Sequence, residues 1–187
     1  MTPIIILAGG KSSRMGRDKT RLEFNGRTLL EHAFLRFSEE FDEVYVSVGD
    51  VLRPPSIPEM CVLPDIFPGL GPISGLHAAL TRFDSAFLAA ADMPLTRIAD
   101  ARRIIDAPPE LDAYAARADG MVEPTFALWR KSALPEVSAA ISRGEHSLRK
   151  VLEAVKTAYV ETEPGTMLNI NYPGDYERLI DIGGKQC

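Results

Sequence analysis

Two unbroken apolar runs, Pro3–Ala8 (PIIILA) and Ala86–Ala91 (AFLAAA), constrain this chain more than any other feature. Neither alternates with polar residues, and both are short for a helix. A strand can be apolar all along only if both of its faces are covered. Such runs therefore belong inside a mostly parallel sheet with helices on either side. The remaining pattern agrees. Further strands are expected at Glu43–Val48, Met60–Leu63, Asp112–Ala116, Pro124–Arg130 and Thr157–Glu161. A helix is expected at Thr28–Phe41, where Leu29, Leu30, Ala33, Phe34, Phe37 and Phe41 share one face and Thr28 with Glu31 forms a capping box. Others are expected at Pro72–Phe83, Thr96–Asp106, Ser132–Arg143, Ser147–Val155 (capped by Ser147) and from about Pro173 to Ile182. Strands alternating with helices, with no internal repeat or linker, predict an α/β, Rossmann-like three-layer fold in one domain covering residues 1–187. The proline-rich stretches Arg53–Pro58 and Ala107–Glu110 read as surface loops.

In such a sheet, ligands bind beyond the carboxyl ends of the strands. The first run opens there into Gly9-Gly10-Lys11-Ser12-Ser13-Arg14, and the cations continue to Lys19. Residues 1–30 hold six Lys/Arg against two Asp/Glu, a local charge of +4 in a chain whose net charge is -5. A cationic focus in an acidic protein points to a local anion site. The stretch fits neither GxxxxGK(S/T) nor GxGxxG. It still has what phosphate binding needs: glycines that let backbone N–H groups approach, hydroxyls on Ser12 and Ser13, and fixed charge on Arg14 and Lys19. A flexible turn with solvated lysines has the same composition.

Two acids stand at other expected strand ends. Asp92 closes Ala86–Ala91 just before Met93-Pro94, and Asp65 follows Pro64. A carboxylate so placed suits magnesium, which takes oxygen ligands and keeps waters and substrate phosphates. It equally suits a turn or a helix cap. Asn169 and Asn171 precede the last helix; Asn171 could cap it, and two amides could also make a neutral hydrogen-bonding rim. His32, His77 and His146 have no ligand spacing, and Gly71-Pro72-Ile73-Ser74-Gly75 does not satisfy GxSxG. The two cysteines, Cys61 and Cys187, form no CxxC pair, so reduced thiols are expected. The pI near 5.3 argues against a nucleic-acid partner. With no signal-like or bilayer-length apolar segment, the expectation is a cytoplasmic protein with no membrane partner.

Leu7 to Lys19 closely resembles the nucleotide loop of the molybdenum cofactor guanylyltransferases. The resemblance continues in order through Asp65, Gly71–Gly75, Ala91-Asp92-Met93-Pro94, Glu123-Pro124-Thr125 and Asn169-Ile170-Asn171. It implies a fold of the nucleotide-diphospho-sugar transferase type and transfer of GMP from GTP to molybdopterin cofactor, with pyrophosphate released. It implies GTP bound near Leu7, Ala8, Gly9 and Gly10, with Lys19 as the loop lysine. Asp65 and the Gly71 and Gly75 segment would contact GTP, and Asp92 would carry Mg2+. Arg14, Lys19 and Asp92 are thus the catalytic candidates, and Asn169 and Asn171 candidates for the pterin side. Where many relatives carry asparagine at the end of the second strand, Ser47 stands here as the corresponding binding candidate. Transient contacts with cofactor-delivery and acceptor proteins are also implied. A cytidylyl or sugar-phosphate transferase using the same loop, and a non-catalytic nucleotide-binding module, are the alternatives.

Overall fold

The computed structural model describes residues 1–8, 22–49 and 60–183. Their core is a seven-stranded sheet. In chain order its strands are β1 (Ile4–Leu7), β4 (Val44–Val48), β5 (Cys61–Pro64), β6 (Ser85–Ala90), β7 (Ala113–Ala118), β8 (Met121–Arg130) and β9 (Thr157–Glu161). In space the order is β5-β4-β1-β6-β8-β7-β9. A separate hairpin, β2 (Glu23–Phe24) with β3 (Arg27–Thr28), follows the glycine loop. The helices are α1 (Leu29–Ser38), α2 (Pro72–Arg82), α3 (Ile98–Ile105), α4 (Leu134–Ser142), α5 (Leu148–Ala154) and α6 (Pro173–Gly183).

Both long apolar runs are inner strands, paired in parallel from Ile4 opposite Phe87 to Leu7 opposite Ala90. Their side chains divide between two cores. Ile5, Leu7 and Leu88 pack with α2, α4 and α5, whereas Ile4, Ile6, Phe87 and Ala89 pack with α1 and α3. This is the physical reason for the missing alternation: helices cover both faces, so neither face wants polar side chains. The Thr28 capping box is present, with the Glu31 N–H donating to Thr28 Oγ1 and the Thr28 N–H donating to Glu31 Oε2. Ser147 caps α5 as expected.

The sheet is mostly parallel, but β8 runs against both neighbours. Its reversal begins at Asp119-Gly120, where both residues have positive φ (52° and 74°), the requirement of a type I′ hairpin turn. The pattern of residues 112–130 predicts two strands; it is this Asp-Gly pair that joins them as a hairpin. The Asn25-Gly26 turn of β2–β3 has the same geometry. Pro124 and its neighbours sit in a bulge, since Ala115 pairs with Ala127 but Ala116 pairs with Glu123. A bulge is where a proline inside a sheet does least harm, because the residue need not donate to the ladder.

The chain passes from β1 outward to β4 and β5, then crosses back to β6 on the other side of β1. The switch point lies between β1 and β6, at the carboxyl ends of both. A third, smaller core joins Leu22, Phe24 and Leu29 to Ile170 and Leu179. It fastens the hairpin after the glycine loop to α6, and the Tyr176 hydroxyl donates to the Glu23 carbonyl across the same seam. Among the described residues no helix is long and apolar enough to cross a membrane.

Candidate active site

Four strand ends open on the same edge of the sheet. They are Leu7-Ala8 after β1, Val48-Gly49 after β4, Asp65 after β5 and Ala91-Asp92 after β6. Because β8 is reversed, its first residues, including Glu123 and Thr125, also lie at this edge. β1 ends between the two aspartates. Asp65 and Asp92 follow strands three positions apart, so at 4.7–4.9 Å per strand they are separated by roughly 14 Å. They cannot share one ion.

The Asp65 end is built tightly. Ser47, at the end of β4, is only 3% exposed and donates to Asp65 Oδ1 at 2.6 Å. It stands behind the aspartate and supports it. Ser74 on α2 accepts from the Phe67 N–H at 3.1 Å. Burial pushes the Asp65 carboxyl above the ordinary carboxylate range, and the two serine hydroxyls partly oppose that. Gly75 is required by space: a Cβ there would lie 2.4 Å from Ser47 Oγ and 2.9 Å from Leu7 Cδ2. Gly71 begins α2 with φ of 77°. Leu7 is buried, and its carbonyl accepts from the Ala91 N–H at 3.2 Å, while the Ala8 N–H donates to the Ser47 carbonyl at 3.1 Å.

The Asp92 end brings together segments far apart in sequence. The Asp92 carbonyl accepts from the Ile170 N–H at 3.0 Å, which seats Asn169 and Asn171 beside it. Asn169 Oδ1 is buried with no hydrogen-bond partner among the described residues, an acceptor available to a ligand donor. Asn171 is not the cap of α6. Tyr172 holds that position, since its carbonyl accepts from the Asp175 N–H at 3.0 Å. The Asp175 carboxylate accepts from the N–H groups of both Asn171 and Tyr172, at 2.9 and 2.7 Å. Glu123 closes on its own bulge, taking the N–H and hydroxyl of Thr125 at 3.1 and 2.6 Å. Gly9, Gly10, Arg14 and Lys19 lie outside the described residues.

A feature absent from the expectations is Arg36. It occupies the buried side of α1, three residues after Ala33 and seven after Leu29, and binds the turn that follows Asp92. A cation at apolar spacing in a helix was the signal that could have found it.

Comparison with known proteins accords with this geometry. The chain is 33% identical to a probable molybdenum cofactor guanylyltransferase of Methanosarcina mazei, over 94% of this chain and 88% of the relative. Among solved structures it resembles molybdopterin-guanine dinucleotide biosynthesis protein A of Archaeoglobus fulgidus. That match has a TM-score of 0.85 and 27% identity, covering 98% of this chain and 100% of the other. It shares the fold alone with 2-C-methyl-D-erythritol 4-phosphate cytidylyltransferase of Thermus thermophilus, at a TM-score of 0.73 and 19% identity, covering 98% of this chain and 100% of that one. Residues 4–160 match the MobA-like NTP transferase domain, and the chain belongs to that family.

Proposed function

We infer that the protein is a nucleotidyltransferase that moves GMP from GTP to molybdopterin cofactor. The observation that carries this reading is the edge itself. β1, which the cation-rich glycine stretch follows in sequence, ends between Asp65 and Asp92, and a second set of polar groups, Asn169 to Asn171, is seated against Asp92. GTP lies along the first half, with its nucleoside toward Asp65 and its phosphates toward Asp92. The terminal phosphate of the pterin approaches from the Asn169 side.

In the reaction a phosphate oxygen of the pterin bonds to the α-phosphorus of GTP, and the bond from that phosphorus to the bridging oxygen of the β-phosphate breaks. Pyrophosphate leaves with the electron pair. Arg14 and Lys19 hold the phosphates and balance charge on the departing pyrophosphate. Asp65, held by Ser47, fixes the nucleoside. Holding both substrates in line supplies much of the rate, and no covalent protein intermediate is needed.

The site takes a divalent cation, and our reading is Mg2+ on Asp92. The donor chemistry fits, because a hard carboxylate at a strand end suits an ion that takes its other ligands from phosphate oxygens and water. Among the described residues no group of three or more His, Cys, Asp or Glu is assembled for a metal. Asp92 would hold the ion, which would supply positive charge to offset that of the phosphates.

Pyrophosphate release in the presence of molybdopterin, with GTP, CTP and UTP compared, tests the reading. GTP should support turnover far better than the pyrimidine nucleotides. Preference for CTP would transfer the chain to a cytidylyltransferase reading, and binding without release would make it a nucleotide-binding module.

A further inference from the structure

The turn after Asp92 is held by a side chain from another element. Arg36, in the last turn of α1, donates from Nη1 to the Pro94 carbonyl at 2.7 Å and to the Thr96 carbonyl at 2.6 Å. From Nη2 it donates to Thr96 Oγ1 at 2.6 Å. Thr96, itself buried, passes the connection on by donating from Oγ1 to the Met93 carbonyl at 3.0 Å. The guanidinium also lies over the Phe37 ring, 5.4 Å from its centroid.

All of these acceptors are neutral, and no carboxylate among the described residues pairs with the cation. Burial lowers its pKa to about 10, so it remains charged at neutral pH. An enclosed cation without a counter-ion is an expensive way to hold a turn. Three acceptors on two residues, however, match the planar fork of a guanidinium and nothing else among the side chains. Every hydrogen bond it makes falls within four residues of Asp92, on a turn whose first residue, Met93, is buried. The Asp92 carbonyl is pinned separately by Ile170.

We propose that Arg36 is a positioning residue for the metal carboxylate: by fixing Met93–Thr96 through Pro94 and Thr96 it sets the orientation in which Asp92 meets the divalent cation. This rests on the reading of Asp92 as the metal ligand. Groups that orient a metal ligand typically change metal affinity by about 10–100-fold when removed.

The test uses the full chain with Mn2+ as probe. Free Mn2+ is followed by its electron paramagnetic resonance signal during titration in the presence of GTP. GTP affinity without metal and thermal midpoint are measured alongside, for wild type, Arg36→Met, Arg36→Lys, Thr96→Val and Asp92→Asn. Arg36→Met should raise half-saturating Mn2+ about tenfold or more, in line with other orienting groups, while metal-free GTP affinity stays within about twofold. Arg36→Lys, with its donors on a single nitrogen in place of a planar two-nitrogen fork, should restore little. Thr96→Val should shift the same parameter in the same direction, and it carries the test if Arg36→Met does not fold. If the Arg36 and Thr96 variants lower the thermal midpoint but bind Mn2+ like wild type, while Asp92→Asn loses Mn2+, the turn is only structural and the proposal is wrong. If Asp92→Asn itself retains GTP-dependent Mn2+ binding, the metal reading of Asp92 falls and the proposal falls with it.

Discussion

Gly75→Ala tests how tightly the Asp65 end of the proposed site is built. The added methyl would sit 2.4 Å from Ser47 Oγ, 2.9 Å from Leu7 Cδ2 and 3.2 Å from Ser47 Cβ. Leu7 offers a flexible tip. Ser47 can withdraw its oxygen only by turning about χ1, which gives up the 2.6 Å bond to Asp65. Overpacking a tight core typically costs about 1–3 kcal/mol. Alanine inside a helix gains up to about 1 kcal/mol over glycine. The net expectation is a loss of about 1–2 kcal/mol, or roughly 2–8 °C in Tm for a chain of this size. The discriminating assay is a double-mutant cycle with Ser47→Ala, read by urea unfolding. Ser47→Ala removes the atom at 2.4 Å, so Gly75→Ala in that background should cost about 1 kcal/mol less than in the parent. GTP affinity should fall in both single variants, because each deprives Asp65 of the same donor. Additivity within about 0.5 kcal/mol would refute the contact as the cause.

Three further outcomes are expected. Asp92→Ala should abolish metal-dependent turnover, a transition-state loss of several kcal/mol, while circular dichroism and Tm stay near those of the parent; near-normal turnover would contradict the assignment. Arg14→Ala and Lys19→Ala should each weaken catalysis by about 1.5–3 kcal/mol, whereas Arg27→Ala, on the exposed β2–β3 hairpin, should cost far less in the same assay. For Asp65, burial raises the folded-state pKa above the unfolded value, so the buried carboxylate costs stability above the folded pKa, and that cost disappears as pH falls through it. Asp65→Asn should accordingly raise Tm at pH 7 and leave it unchanged at low pH, and Ser47→Ala should move the acid midpoint of GTP binding upward, since it removes a bond that lowers this pKa.

The sheet was legible in the sequence because its cause is local. Ile4–Leu7 and Ala86–Ala91 are apolar at every position, and only burial on both faces explains that. The capping box of α1 and the Ser147 cap were equally readable, since a cap is a bond between residues three apart. The Asp119-Gly120 reversal was written there too, in the dipeptide that a type I′ turn demands, though composition alone does not say which strand the hairpin will pair with. Motif positions at strand ends located Asp65 and Asp92, because an acid closing an apolar strand is a local pattern. What they would sit beside depended on strand order, which no window of sequence contains. The order β5-β4-β1-β6 separates the two aspartates and puts the end of β1 between them. Packing across elements then assigned Ser47 to the support of Asp65, took the cap of α6 from Asn171 and gave it to Tyr172, and brought Arg36 onto a turn almost sixty residues away. Periodicity identifies which side of a helix is buried; only the folded chain decides which carbonyls a cation on that side will meet.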